Sequence, residues 1–333
     1  MSFTFIDLFA GTGGIRLPFD EIGGKCVLSS EWDKFAQKTY AANFGEVPHG
    51  DITKIKPEDI PSFDLLTAGF PCQPFSNAGL KKGFEDTRGT LFFNIAQIVN
   101  YHMPKVVFLE NVKGLLSHNK GDTFTTIKRV LEEMGYSVHY KVHNAKDFGV
   151  PQNRQRIYIV AIRDDIDYDF QFAEPLSVPT RVGDILELDV DPKYTISDKL
   201  WAGAQRRKKE HKAKGNGFGY SMVNADSPYT NTISARYYKD GSEVLIEQKG
   251  KNPRKLTPRE AARLQGYPEN YVIPVSDVQA YKQFGNAVAI PAVRSVAQQL
   301  KPILNPMSES SLKESYFFEP VGYENQLDIG LAL

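Results

Sequence analysis

Cys72 lies in the stretch GFPCQPFS (69–76), with one proline immediately before it and another two positions later. Proline has no backbone N–H and fixes its own φ, so this stretch is neither the interior of a helix nor a central strand. The thiol is therefore held in a rigid loop directly after FDLLTAGF (63–70), a pattern that predicts a strand. A thiol fixed in this way is a candidate nucleophile, and the simpler alternative is a small buried structural cysteine.

Five polar residues near other predicted strands could assist such a nucleophile. They end KVVFLENV (105–112) or border the start of RIYIVAIR (156–163): Glu110, Asn111, Gln152, Arg154 and Arg156. If the strands are neighbours, a thiol, a carboxylic acid and guanidinium groups meet at one edge of the sheet. Nearby cations raise the thiolate fraction, so the set suits nucleophilic addition to an electron-poor ring. The alternative is a structural salt bridge and a solvated strand edge.

A Cys–His hydrolase is the rival interpretation of a reactive cysteine. The chain has six histidines, but none lies in a context that marks it as the partner base. The sequence therefore favours the carboxylic acid and the arginines as the partners of the thiol.

A glycine turn, FAGTGG (9–14), follows the first predicted strand and opens a helix. Open α/β sheets bind ligands there, and helix N-terminal amides favour a carboxylate or a phosphate. The spacing is neither GxGxxG nor GxxxxGK[ST], so a dinucleotide or a nucleoside triphosphate is not favoured. Glu31 is placed for a ribose hydroxyl, Trp32 for stacking on a base, and Asp51 for an exocyclic amine, which together describe an adenosine site. The alternative has Trp32 in the core and Asp51 as a helix cap.

The elements that must position these groups alternate along the first two-thirds of the chain. Apolar runs predict strands, and helical spacing of apolar residues predicts the helices between them, with a late helix in AVAIPAVRSVAQQL (287–300). This alternation predicts an α/β fold with a mostly parallel sheet and helices on both faces. We predict a large domain from 1–183 and 276–305, a smaller irregular or β domain from 184–275, and a C-terminal tail from 306–333.

The formal net charge of the chain is +0, but the charge is unevenly distributed. From residue 199 to residue 263 there are 15 Lys and Arg against 6 Asp and Glu, a balance of +9 that leaves −9 for the rest. A basic segment in an otherwise acidic protein indicates a polyanion contact. The run QRRKKEHKAK (205–214) within it is equally compatible with a solvated helix face.

Cysteine usage and hydropathy exclude several classes of protein. Two cysteines form neither a disulfide framework nor a four-ligand zinc site, so we expect no metal and a reducing cytoplasm. The first residues show no basic region followed by an apolar run, and no apolar stretch reaches the ~18–20 residues that span a membrane. We therefore predict a cytoplasmic protein without membrane contact.

Taken together, the motifs resemble those of the bacterial DNA cytosine-5 methyltransferases of the restriction–modification type. FAGTGG, GFPCQPFS, LENV, QNRQR and QFGNAV (283–288) occur in the order and spacing of that family, over nearly all of residues 3–300. RKLTPREAARLQGYP (254–268) is a further signature. The resemblance implies a Rossmann-like S-adenosylmethionine-dependent methyltransferase fold for the large domain and target recognition by the small one.

The resemblance also implies a mechanism. The cysteine of the PCQ motif is the family's nucleophile, so Cys72 would add to carbon 6 of a cytosine extruded from the duplex. Glu110 would protonate ring nitrogen 3, and carbon 5 would then take a methyl group from S-adenosylmethionine, leaving S-adenosylhomocysteine. Asn111 would shape the base pocket, while Arg154 and Arg156 would support the cytosine and the active-site loop.

Cofactor and DNA contacts transfer in the same way. The residues implied for S-adenosylmethionine are Phe9, Gly11, Gly13, Glu31, Trp32, Asp51, Pro71 and Asn286. The loop after the cysteine (73–89) would close over the flipped base and contact phosphates. The residues expected to bind DNA, the last four of them in the major groove, are Ser76, Lys81, Lys82, Arg88, Thr232, Ser234, Arg236 and Tyr237.

The implied partners are double-stranded DNA and a cognate restriction endonuclease, with the enzyme itself a monomer. The basic segment resembles recognition regions of enzymes that act on short CC…GG palindromes. One rival is a tRNA cytosine-5 methyltransferase, whose relatives have a shorter and different small domain. The others are a catalytically inactive DNA-binding module, which would not need the complete set of Cys72, Glu110 and Arg154, and a small-molecule methyltransferase, which would not need a basic domain.

Overall fold

A computed structural model describes residues 2–71, 91–176, 178–217 and 219–305 of the 333-residue chain. Several predicted features lie outside the described residues: Cys72, Ser76, Lys81, Lys82, Arg88 and the tail 306–333. The other predicted site residues all lie within the described ranges.

A six-stranded sheet forms the centre of the fold. The strands of the described chain are β1 (Phe3–Leu8), β2 (Gly24–Ser30), β3 (Leu65–Gly69), β4 (Val106–Val112), β5 (Tyr136–Asn144), β6 (Gln152–Asn153), β7 (Gln155–Arg163), β8 (Met222–Val223), β9 (Thr230–Asn231) and β10 (Leu245–Ile246). The order in the large sheet is β2-β1-β3-β4-β7-β5. The first four strands pair in parallel, and β7 is antiparallel to β4 and β5. The sheet is therefore mixed and mostly parallel, which confirms the predicted fold class.

Helices connect these strands. They are α1 (Arg16–Glu21), α2 (Lys34–Phe44), α3 (Leu91–His102), α4 (Asp122–Glu133), α5 (Asp198–Ala213), α6 (Pro258–Arg263), α7 (Asp277–Asn286) and α8 (Ile290–Leu304). Local sequence sets their ends. Asp33 begins α2 by accepting hydrogen bonds from two backbone N–H groups, and Gly45 ends it with a left-handed φ of 73°.

Both faces of the sheet are covered because strand residues alternate between them. Leu66 and its same-face neighbours pack against α3 and α4, whereas Leu65 and its neighbours pack against α1 and α8. The predicted late helix thus returns to the large sheet, where Arg294 also forms an ion pair with Glu21 on α1. The face that α8 completes is therefore built from the two ends of the described chain.

A third apolar cluster lies beyond β7 and forms the core of the smaller unit. It includes Ile233, Tyr237 and Leu256, together with residues of α6 and α7. Two short parallel pairs accompany it, β8 with β10 and β6 with β9. The predicted boundary at residues 275 and 276 assigned α7 to the large domain, whereas its buried residues pack in this third cluster.

Membrane spans and metal sites are two features that the sequence argued against. No helix in the described ranges is long and apolar enough to cross a membrane. Within the same ranges, no three His, Cys, Asp or Glu side chains are grouped as metal ligands would be.

Candidate active site

The ends of β3 and β4 bring the predicted nucleophile loop next to the predicted acid. Gly69 pairs with Glu110 across these parallel strands. Beside it, the Asn111 amide donates a hydrogen bond of 2.8 Å to the carbonyl of Phe70 and accepts one of 2.8 Å from the Val112 N–H. Asn111 therefore anchors the chain two residues before Cys72. The predicted contact of Asn111 with the base stays a prediction.

Glu110 is a buried carboxyl beside a guanidinium group. The residue is 8% exposed, and its Oε1 lies 3.2 Å from Nε of Arg156. Burial raises the pKa of Glu110, and the charges of Arg156 and Arg154 oppose that rise. A buried carboxyl that keeps its proton to higher pH than usual suits an acid that donates to a ring nitrogen.

The reversed direction of β7 explains why Arg156 reaches Glu110. Because β7 runs antiparallel to β4, its first residues lie at the same edge as the last residues of β4, and Arg156 pairs with Val112. The start of β7 and the end of β4 therefore lie at the same edge of the sheet. This confirms the convergence that the sequence predicted for Glu110 and Arg156.

Arg154 is buried between segments that are distant in the sequence. It is 2% exposed, and its guanidinium donates to the carbonyls of Ile233 at 3.0 Å, Gly285 at 3.1 Å and Ala287 at 2.7 Å. Burial lowers the pKa of Arg154 to about 9, so it carries its charge at neutral pH. The described bonds give it a role between the two units of the fold. Direct support of the cytosine and the loop stays a prediction.

The glycine turn after β1 is tied to Glu31 at the end of β2. The two carboxylate oxygens of Glu31 accept from the N–H groups of Gly11 at 2.9 Å and Asp33 at 2.8 Å. Gly13 has φ +73°, and a Cβ there would lie 2.2 Å from the ring of Phe44, so only glycine fits. Phe9 also has a positive φ, 55°, which is strained for a bulky side chain and is typical of functional turns.

Trp32 and Asp51 lie beside this turn. The indole of Trp32 is 80% exposed, so the alternative that placed it in the core is wrong. Asp51 caps a short 3₁₀ helix through Oδ1, which accepts from the backbone N–H and the hydroxyl of Thr53. These bonds lower the pKa of Asp51 and keep it ionised. Because they all fall on Oδ1, the cap leaves Oδ2 for an amine.

The adjacency of these groups comes from the segment 49–51. The backbone N–H of Glu31 donates to the carbonyl of His49 at 2.8 Å, and the Ser30 hydroxyl donates to the carbonyl of Gly50 at 2.8 Å. The backbone segments that carry Glu31, Trp32 and Asp51 therefore lie side by side, and we call these three residues the cradle. Such a donor and acceptor set fits an adenosine with its ribose. Pro71, which follows β3, and Asn286, which ends α7, are both exposed.

The residues predicted to read DNA divide into two groups. Arg236 is exposed, whereas Thr232 and Ser234 donate to the Asn153 carbonyl at 2.6 Å and the Glu243 carboxylate at 2.7 Å. Tyr237 is fully buried, and its hydroxyl donates to the carbonyl of Val244 and accepts from the N–H of Leu256. The prediction that Tyr237 contacts the major groove is therefore wrong, because its side chain belongs to the core of the smaller unit.

Comparison with known proteins agrees with this geometry. The sequence profile of the family described as C-5 cytosine-specific DNA methylase matches residues 3–302. The chain belongs to the C-5 cytosine-specific DNA methylases. It is 62% identical to the type II methyltransferase M1.ScrFI of Lactococcus lactis subsp. cremoris, over 91% of this chain and 79% of that protein. It is 59% identical to M.NlaX of Neisseria lactamica, over 92% of this chain and 99% of that protein.

A solved structure shares the fold of this C-5 cytosine-specific DNA methylase. The Dnmt2 methyltransferase of S. pombe superposes with a TM-score of 0.75 at 21% identity, over 90% of this chain and 99% of that one. The methylase family depends on S-adenosylmethionine, so membership implies this cofactor, and the cradle of Glu31, Trp32 and Asp51 has the side chains to hold it. The family assignment made from the motifs is confirmed.

Two residues of this C-5 methylase were missed by sequence reasoning. Gly285 packs against the backbone of Ser234, and its place within QFGNAV could have indicated a close backbone approach. Asp7 is a fully buried carboxyl on β1 that precedes the glycine turn by two residues. A carboxyl in an apolar strand pattern is a signal that the sequence did carry.

Proposed function

We propose that this protein transfers a methyl group from S-adenosylmethionine to carbon 5 of cytosine in duplex DNA, with Cys72 as the covalent nucleophile. The observation that carries the proposal is the meeting of three chain segments at one sheet edge. These are the end of β3 that leads to Cys72, the buried carboxyl of Glu110, and the start of β7 with Arg156. The relatives named as type II methyltransferases favour DNA over tRNA as substrate.

The mechanism assigns a task to each group of the chain. The Cys72 thiolate forms a bond to carbon 6 of the flipped base while the Glu110 carboxyl gives its proton to ring nitrogen 3. Carbon 5 becomes an enamine nucleophile and takes the methyl group that S-adenosylmethionine supplies. Loss of the carbon 5 proton and elimination of the thiol restore the aromatic ring. Arg156, paired with Glu110, orients that carboxyl and balances the charge it acquires.

The biological role we propose is protection of the cell's DNA from a restriction endonuclease that cuts the same site. Support comes from the type II naming of the similar relatives. We propose a CC…GG palindrome as the target class because of the resemblance of the basic segment to recognition regions of that kind. Bisulfite sequencing of a plasmid from cells expressing the protein identifies the methylated cytosine. Methylation restricted to another sequence class would correct the target but leave the chemistry intact.

The covalent step is tested by Cys72→Ser. Duplex DNA methylation should fall by at least ~10³-fold because the hydroxyl is a much weaker nucleophile at neutral pH. Cofactor and DNA binding should persist, since Ser is nearly isosteric. With the wild type, duplex DNA carrying 5-fluorocytosine at the target should form a lasting protein–DNA adduct. Fluorine replaces the carbon 5 proton that must leave before the thiol can be eliminated.

The chain's second cysteine gives the matched control. Cys26 is buried, its thiol donates to the carbonyl of Leu28, and burial raises its pKa to about 12, so it is not a nucleophile. Cys26→Ala should retain methylation and trapping. Substantial turnover by Cys72→Ser, or label incorporated into tRNA and not into duplex DNA, would contradict the proposal.

A further inference from the structure

The segment predicted to read DNA is attached directly to the chain that leads into the catalytic edge. We call residues 230–237 the reading segment. The N–H of Thr230 donates to the carbonyl of Pro151 at 2.8 Å, and β9 then pairs in parallel with β6. The N–H of Ile233 donates to the side chain of Gln152 at 3.2 Å. The reading segment therefore follows the path of residues 151–154 almost position by position.

Arg154 adds a third connection between the two segments. Its guanidinium holds the carbonyl of Ile233 in the reading segment and, with another nitrogen, the carbonyls of Gly285 and Ala287. A buried charge is tolerated only with such partners, so these three bonds fix the guanidinium in one place. Two residues later in the same chain, Arg156 lies 3.2 Å from Glu110. We call the three bonds of Arg154 the clamp. One residue, Gln155, separates Arg154 from Arg156, which faces the catalytic carboxyl.

Gly285 fixes the reading segment from the opposite side. A Cβ on Gly285 would lie 2.2 Å from the carbonyl oxygen of Ser234 and 2.5 Å from the N–H nitrogen of Ala235. Both are backbone atoms, which cannot rotate away as the end of a side chain could. Glycine is required inside α7 because of this close approach.

We propose that Arg154 and Gly285 are positioning residues that determine which DNA sites are methylated, by holding the reading segment in register with Glu110. This inference rests on the proposed DNA methyltransfer. Discrimination between sites requires that a correct base contact also places the flipped cytosine correctly, and a displacement of ~1 Å can cost ~10²-fold in rate. The clamp supplies that link because the same short stretch of chain contacts both places.

The first test is Gly285→Ala. The added methyl group must displace the Ser234–Ala235 peptide, so the KM for duplex DNA should rise and the ratio of methylation at the target to methylation at single-base variants should fall roughly ten-fold. Bisulfite sequencing of a plasmid measures that ratio. A displaced reading segment thus lowers the selectivity between sites, whereas a general loss of activity would lower methylation at all sites equally.

The matched control is Gly203→Ala, also a glycine inside a helix. A Cβ there meets its nearest neighbour, the end of Arg207, at 3.6 Å, which is ordinary contact. It should keep both the selectivity ratio and the KM for DNA. A fall in selectivity with this control would show that any helical glycine change has the effect, and the inference would be overturned.

Arg154→Lys is the second variant, and it decides the matter if Gly285→Ala does not fold. Lysine keeps the charge and adds no volume, but it cannot hold three carbonyls with a planar fork. The selectivity ratio should fall as with Gly285→Ala. An unchanged ratio in a folded Arg154→Lys enzyme would refute the inference while DNA methylation by the wild type stands. No methylation of DNA by the wild type would instead refute the proposed function.

Discussion

Glu110 shows how burial prepares a single residue for its chemistry. The carboxyl lies in the buried part of β4, where desolvation favours the protonated form, while Arg156 limits the rise of its pKa. Glu110 therefore keeps its proton to higher pH than a solvated carboxyl does, which suits an acid. The residue type was predictable from the LENV motif, but the raised pKa follows only from the packing around it.

Glu110→Gln tests this role through the pH profile. Because burial raises the pKa of Glu110, the wild-type kcat/KM should fall as the pH rises through that value and the acid is lost. Glutamine still donates a hydrogen bond but has no proton to give, so kcat should drop ~10²–10⁴-fold and the falling limb should disappear. The measurement is DNA methylation from pH 5 to pH 10.

Glu132→Gln on the surface of α4 is the control, since Glu132 is exposed and forms an ion pair with Lys128. It should keep the wild-type profile and rate. A falling limb that survives unchanged in Glu110→Gln would assign that limb to another group and contradict the acid role.

At the scale of elements, the strands with buried faces were predictable and the edge strand was not. Leu65–Gly69 and Val106–Val112 are runs of apolar residues, because parallel central strands are covered on both faces. Tyr136–Asn144 was missed. Its nine residues lie at the edge of the sheet, where mixed polar positions such as Lys141 and His139 are half-exposed and interrupt any apolar pattern.

The site was predictable to a similar extent. Motif spacing located Glu110 and Arg156 because each lies at a strand end, and strand ends follow from local pattern. The role of Arg154 was not predictable, because its three acceptors lie far along the chain and belong to another unit. Tyr237 was misassigned for the same reason, because the two hydrogen bonds of its hydroxyl, to Val244 and Leu256, form only in the folded core.

Helix α5 carries the clearest prediction at this scale. Of its sixteen residues only Ala204 is buried, and a helix that is polar all round contributes little core packing of its own. Arg207 pairs with Asp240, a few residues after the reading segment, which places the exposed cations of α5 beside it. We expect these cations to hold phosphates outside the target sequence.

Replacing Lys209 and Lys212 on α5 by glutamine should weaken binding equally for all sequences. Each lost phosphate contact lowers the slope of log K against log salt by ~0.9, so the double variant should lose about 2 from the slope. Fluorescence anisotropy with a labelled duplex at several salt concentrations measures it. The double variant of Lys25 and Lys301 is the control, because both are exposed and Lys25 lies on the edge strand β2, far along the sheet from β4. Equal slopes in the two doubles would remove α5 from the DNA interface.

At the scale of the whole molecule, the interior contains a carboxyl that opposes folding at neutral pH. Asp7 is fully buried, Thr67 donates to its Oδ1 at 2.9 Å, and its Oδ2 has no partner among the described residues. Burial raises the pKa of Asp7 to about 7. The unfolded chain releases this proton above a pH of about 4 and the folded chain only near 7, so the free energy of unfolding should decrease as the pH rises between those values.

Asp7→Asn should remove this decrease. Between pH 5 and pH 8 the wild type should lose about 2–3 kcal/mol more unfolding free energy than the variant, as measured by urea unfolding. Asp189→Asn, at an exposed position, should behave as the wild type. A pH dependence that is the same in all three proteins would mean that Asp7 is not the group that titrates.

The late return of α8 to the first strands has a consequence for synthesis on the ribosome. The face it covers is lined by Phe3, Phe5 and Leu65, which emerge long before residue 290 is made. At ~5–20 residues per second, that apolar surface stays open for roughly 15–60 s of translation. The nascent chain therefore needs shielding by a chaperone or by transient burial. The large sheet is therefore covered on both faces only after α8 has been synthesised.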